Sequence, residues 1–129
     1  MKKINVVVIG GGNGSAICLE GLKKYPDLDI SVVISMSDSG GSSGKLRKEF
    51  NTLPPGDIMR AVLSLSRYDY KMLRQIFYKP RFKNVGKLDS HNLGNLFLTL
   101  TSQYSGNFLF ALEALLQSVE AMGKVYPVN

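Results

Sequence analysis

Two short β-branched runs, each ending in a glycine-rich loop, constrain this chain more than anything else in it. The first, Val6-Val7-Val8-Ile9, runs into Gly10-Gly11-Gly12-Asn13-Gly14-Ser15. The second, Ile30-Ser31-Val32-Val33-Ile34, leads to Ser37-Asp38-Ser39-Gly40-Gly41-Ser42-Ser43-Gly44. A brief Val/Ile run that stops in glycines reads as a buried parallel strand turning into a helix. The backbone N–H groups exposed at such a turn form an anion site. Two of these turns on successive strands open onto the same edge of one sheet, where open α/β folds place their ligands. The expected ligand is a small molecule bearing phosphate.

The rest of the chain divides readily around these strands. Residues 4–9 and 29–35 read as strands, with residues 15–24 as the intervening helix, ended by Pro26. A short helix is expected over residues 43–50, then a rigid break at Leu53-Pro54-Pro55-Gly56. Asp57 can cap a helix carrying Ile58, Ala61, Val62 and Leu65 at helical spacing. Asp69 can start another, with Met72, Leu73, Ile76 and Phe77 on one face. Residues 78–90 contain Pro80, Gly86 and four Lys/Arg, and read as a mobile loop. Residues 92–101 and 107–122 read as the last helices, the second striped by Leu109, Leu112, Leu115, Leu116 and Val119. Gly123 would stop it, and residues 124–128 form a third strand. Three strands against about six helices, with a bare strand last, suggest one part of a larger doubly wound domain, or a subunit completed by association.

Composition narrows the partners. A chain of 129 residues suits one domain, and 44% hydrophobic with 20% charged residues suits a globular one. No apolar stretch approaches the ~20 residues that span a bilayer, so no membrane partner is expected. The run after Met1-Lys2-Lys3 stops at Gly10, too short for an export signal. The single Cys18 excludes an internal disulfide and suits a reducing cytoplasm; on the first helix it is expected to be a buried, inert thiol. The net charge of +6 is either a solvated basic surface or a field that attracts anions. No aromatic-interleaved basic strand or recognition-helix pattern supports nucleic acid as the partner.

The motifs keep several chemistries open. Gly10 and Gly12 fit a dinucleotide fingerprint, but Ser15 stands where its third glycine belongs, so an NAD(P)-dependent oxidoreductase rests on degenerate spacing alone. Neither loop ends in G-K-[ST], which excludes a P-loop. Asp38 beside two anion cradles would be repelled by a bare phosphate. It fits better as a Mg²⁺ ligand or as the group orienting a hydroxyl nucleophile, and equally as an Asx turn or helix cap. Asp57 reads first as a helix cap and second as a catalytic acid. His91, in Ser90-His91-Asn92-Leu93-Gly94-Asn95-Leu96, is a helix-start cap or a site histidine, with Asn92 and Asn95 on neighbouring turns. Gly94 permits close approach of a ligand or of backbone. No Cys/His cluster accompanies His91, so zinc is not expected.

Four motifs in order resemble one family: Val8-Ile9-Gly10-Gly11-Gly12-x-Gly14, Asp38-x-Gly40-Gly41-Ser42-Ser43-Gly44-x-Leu46-Arg47, Leu53-Pro54-Pro55-Gly56-Asp57-Ile58 and His91-x-x-Gly94-Asn95-Leu96. Together they are similar to the YvcK/CofD-like family, which includes bacterial gluconeogenesis factors and 2-phospho-L-lactate transferases. The resemblance runs from the first strand to Gly123-Lys124-Val125-x-Pro127-Val128. It implies a Rossmann-like, three-layer α/β sandwich on a parallel sheet, about twice this length, with residues 1–129 as the N-terminal part of the nucleotide-binding domain. One branch implies UDP-sugar binding with effects on cell shape and carbon metabolism. The other implies transfer from a nucleoside diphosphate donor with Mg²⁺. Carried over by position, Gly10, Gly11, Gly12, Asn13, Gly14, Ser15, Gly40, Gly41, Ser42 and Ser43 would cradle phosphates. Asp57 and Asn95 would join the binding site, and Asp38 and His91 would stand where catalysis occurs. The family commonly has Thr at position 13 and a second aspartate at position 39. Ser39 therefore tilts the reading from metal-assisted transfer toward binding, of a nucleotide-sugar or other phosphorylated molecule, by a chain that could act as a homo-oligomer.

Overall fold

The computed structural model describes residues 2–35 and 56–128. The expected helix over residues 43–50 and the second glycine loop lie outside those residues. Three strands, β1 (Ile4–Gly10), β2 (Leu28–Ser35) and β3 (Gly123–Val128), form a parallel sheet in the order β1-β2-β3. Ile4 pairs with Leu28 across the first ladder, and Ile30 with Gly123 across the second. Five α-helices are described: α1 (Gly12–Leu22), α2 (Gly56–Leu65), α3 (Tyr70–Phe77), α4 (Leu93–Ser105) and α5 (Phe108–Ser118). The α/β reading holds, with a right-sized crossover, α1, between the first two parallel strands.

Strand alternation sets the core. Ile30, Val32 and Ile34 of β2 and Val125 of β3 point to one face and are buried, while Val7, Ile9, Tyr126 and Val128 stand exposed. The buried face receives α2, whose Ile58, Met59, Ala61, Val62, Leu63 and Leu65 are all shielded from water. A helix apolar on nearly every side belongs inside, and α2 lies between the sheet, α1 and α4. Within the described residues the sheet and one helical layer of the expected sandwich are present, and the second sheet face is bare.

Several expectations change in detail. Cys18 is exposed, because α1 turns Ala16 and Leu19 inward and leaves the next positions to solvent. Met72 and Ile76 of α3 are exposed while Leu73 is buried and Phe77 partly so, a narrower stripe than the pattern offered. Leu109 likewise faces water, whereas Leu112, Leu115 and Leu116 are buried. Residues 78–90 are ordered by a 3₁₀ turn (Gly86–Leu88), by Phe82 N–H donating to the His91 carbonyl at 3.0 Å, and by Ser90 N–H donating to the Phe82 carbonyl at 2.9 Å. Gly123 does not end a helix. The helix α5 ends in a Schellman motif, with Ala121 N–H donating to the Leu116 carbonyl at 2.9 Å and Glu120 N–H to the Gln117 carbonyl at 3.1 Å. The left-handed residue of that motif is Glu120, at φ +50°. Gly123 instead starts β3, where a Cβ would stand 2.7 Å from the Ile30 carbonyl oxygen.

Candidate functional site

The first glycine loop is shorter than expected, because α1 begins at Gly12 rather than at Ser15. Gly10 ends β1 and Gly11 is the extended residue preceding the helix, at φ −158°. Gly12, Asn13, Gly14 and Ser15 are therefore the first turn of α1. Gly11 has no side chain with which to cap that turn, whereas Asp69, Asn92 and Asn107 cap α3, α4 and α5. The N–H groups at the start of α1, with the positive end of its dipole, are the feature that favours an anion there.

Asp57 comes to this loop from α2. It sits inside the first turn of that helix rather than at its cap, where a carboxylate gains from the helix dipole. A Cβ built on Gly11 would lie 3.1 Å from Asp57 Oδ2, so the carboxylate rests against the loop backbone. Its other oxygen, Oδ1, accepts from Arg60 Nη1 at 3.2 Å. Arg60 then binds the Tyr78 hydroxyl with two nitrogens, Nε at 3.0 Å and Nη2 at 2.5 Å. The Tyr78 carbonyl accepts from Asn92 Nδ2 at 3.1 Å, and Asn92 Oδ1 accepts from Asn95 N–H at 2.8 Å. One polar chain thus joins the glycine loop to the start of α4.

The resemblance implies that His91 and Asn95 line the same cleft as the loop. Among the described residues they are enclosed, 0% and 2% exposed, at the inner end of that polar chain. Gly94 beside them admits protein and not ligand: a Cβ there would meet Met59 Cε at 2.5 Å and the Phe77 carbonyl at 3.0 Å. Asp38, Gly40, Gly41, Ser42 and Ser43 lie outside the described residues. Arg60 and Tyr78 escaped the sequence reading. Only the i, i+3 spacing of Asp57 and Arg60 could have signalled the first, and no local pattern marks the second.

Beside α1, a cavity of about 260 Å³ is lined by Ala16, Ile17, Glu20, Tyr70 and Arg74. The Arg74 guanidinium stands 6.0 Å from the Tyr70 ring centre and 5.4 Å from that of Tyr78. Burial pushes the Tyr70 phenol above its ordinary range, against the pull of Arg74. As a Mg²⁺ site the described donors do not suffice: Asp57 is already paired with Arg60, and no group of three His, Cys, Asp or Glu comes together among the described residues.

A family model, 2-phospho-L-lactate transferase CofD, matches residues 6–129. The chain belongs to the CofD family. Among its relatives, a gluconeogenesis factor of Halalkalibacterium halodurans is 40% identical over 129 residues, 100% of this chain and 39% of the relative. One of Listeria monocytogenes is 42% identical over 127 residues, 98% of this chain and 38% of the relative. A crystal structure of a UPF0052-family protein from Bacillus halodurans superimposes with a TM-score of 0.88 at 40% identity, covering 98% of this chain and 40% of that one. The chain thus spans about two-fifths of the length of these CofD-family relatives. Among the described residues, no helix is long and apolar enough to cross a membrane.

Proposed function

We propose that this CofD-family chain contributes the phosphate-cradling part of a nucleotide-sugar-binding regulator of the gluconeogenesis-factor type, working in the cytoplasm. The observation that carries the reading is the contact of Asp57 with Gly11 at the uncapped start of α1. Paired with Arg60, Asp57 adds little net charge, so the helix N-terminus keeps its attraction for a diphosphate. The expected experiment is calorimetry with UDP-N-acetylglucosamine. Heat of binding is expected from a full-length version of the protein. Gly11→Ala, whose methyl group would press on Asp57, should weaken binding by about tenfold or more, equivalent to ~1.4 kcal/mol. No heat at millimolar ligand would sink the reading.

A transfer reaction is the second reading, favoured by the transferase name of the matching family model. It would rely on Asp38 for Mg²⁺. A Ser39→Asp variant that gained no Mg²⁺ affinity would count against it.

A further inference from the structure

The Asp57–Arg60 pair is weak on its own. Its side chains are 23% and 27% exposed, and an ion pair that open to water is worth ~1 kcal/mol or less. Two further guanidiniums stand close by, since Arg60, Arg74 and Arg81 lie 5.2, 5.4 and 5.7 Å from the centre of the Tyr78 ring. Among the described residues, only Arg60 of these three is ion-paired to a carboxylate. Arg60 therefore stands in a positive field that favours its release to solvent. The Tyr78 hydroxyl opposes that release. The planar guanidinium turns one edge, Nε and Nη2, to the phenol oxygen at 3.0 and 2.5 Å, which leaves Nη1 to donate to Asp57 Oδ1 at 3.2 Å. With both sides of the fork engaged, the guanidinium has one orientation. Tyr78 is itself fixed at three points. Its N–H donates to the Arg74 carbonyl at 3.1 Å, its carbonyl accepts from Asn92 Nδ2 at 3.1 Å, and its ring packs against the core.

We infer that Tyr78 is a positioning residue of the glycine-loop site: its hydroxyl holds Arg60 on Asp57 and so keeps the carboxylate beside Gly11 from repelling a diphosphate. This role rests on the reading of that loop as a diphosphate site. The hydroxyl need meet no ligand, because it acts through charge. An Arg60 released to solvent leaves Asp57 as a net negative charge against the loop backbone, next to the helix start where phosphate oxygens would come. One oxygen atom carries the effect. Phenylalanine at position 78 would keep the ring, its packing and its contacts with the three guanidiniums.

Two measurements on a full-length version of the protein test this. Without ligand, the Arg60 Nε–H group, identified in nitrogen NMR by its loss in Arg60→Lys, should be ordered and slow to exchange in the parent. In Tyr78→Phe the same group should be mobile. With UDP-N-acetylglucosamine, Tyr78→Phe should bind about tenfold more weakly, the size of one hydrogen bond to a charged group, with a thermal melt close to that of the parent. The loss should shrink near ~1 M salt, where charges are screened beyond about 3 Å. In an Asp57→Asn background there is no charge to neutralise, and Tyr78→Phe should there change affinity by less than about twofold. An Arg60 signal that Tyr78→Phe leaves ordered overturns the inference. So does an unchanged affinity, or a loss equal in both backgrounds, which would mark a purely structural tyrosine. Absence of heat from the parent sinks the diphosphate reading instead, and the Arg60 signal then decides alone whether Tyr78 holds the pair.

Discussion

A methyl group added at Gly123 would sit 2.7 Å from the Ile30 carbonyl oxygen and 3.2 Å from Leu65 Cδ2. The first of these neighbours is backbone in the sheet ladder and cannot turn aside. Gly123→Ala is therefore expected to push β3 away from β2 and to destabilise the fold by about 1–3 kcal/mol, the usual range for overpacking. Gly21, in the last turn of α1, offers the contrasting case, since a Cβ there meets nothing within 4 Å. Gly21→Ala should stabilise by roughly 0.5–1 kcal/mol, because alanine loses less backbone freedom on entering a helix. Urea unfolding of the two variants beside the parent checks both signs. Glycine in a sequence says only that backbone freedom or closeness is wanted. Which of the two applies depends on strands and side chains far away in the chain, and for that reason Gly123 was misread as a helix stop.

Asn92 and Asn107 both cap helices, but their surroundings differ. Asn107 is exposed and bonds the N–H groups of Leu109 and Phe110 at 2.9 and 3.4 Å. Asn92 is 1% exposed, and beyond capping α4 it donates to the Tyr78 carbonyl. Asn107→Ala should cost about 1 kcal/mol, the ordinary worth of a cap. Asn92→Ala should cost more, roughly 2–3 kcal/mol, because it also removes the donor to the part-buried Tyr78 carbonyl. Thermal melts should rank them in that order. At this scale the sequence was informative: all three strands and the start of α3 at Asp69 were legible from periodicity and capping chemistry, whereas Asn92 and Asn107, read as the first residues of their helices, are the caps that precede them, and Asn92 rather than His91 caps α4. The errors share a cause. Periodicity marks a stripe about 100° wide, but a neighbour such as α2 covers only part of it, so Met72, Ile76 and Leu109 fell outside the cover. Of the candidate site, the meeting of Gly11 with Asp57 was foreshadowed by two separate motifs. The enclosure of His91 and Asn95 was not, because it depends on α2 and residues 78–82 closing over them.

The stability of the whole molecule in alkali reports two groups of opposite sign. Burial lowers the Lys23 ammonium below its ordinary value of 10.5, although its Nζ donates to the Ser66 carbonyl at 2.8 Å. The native state holds that proton less tightly than the unfolded chain, so this group adds stability as pH rises toward 10.5. Burial raises Tyr70 above 10.0, so the native state keeps that proton longer, and stability present below pH 10 is lost as pH climbs through the raised value. Tyr70→Phe should therefore flatten the decline above pH 10 relative to the parent, as followed by urea midpoints across that range. The ladder between β2 and β3 carries a different consequence. Its partners Ile30 and Gly123 lie roughly ninety residues apart, against roughly twenty-four for Ile4 and Leu28, a gap of about two doublings in loop length. Chain entropy alone makes the longer closure dearer by only about 1.2 kcal/mol. The greater demand is that Leu65 and the α5 terminus be in place to receive β3, since Met122 N–H donates to the Leu65 carbonyl and Gly123 abuts the Leu65 side chain. The strand β3 is thus a latch whose seat is built by Leu65 of α2 and by the turn that follows α5.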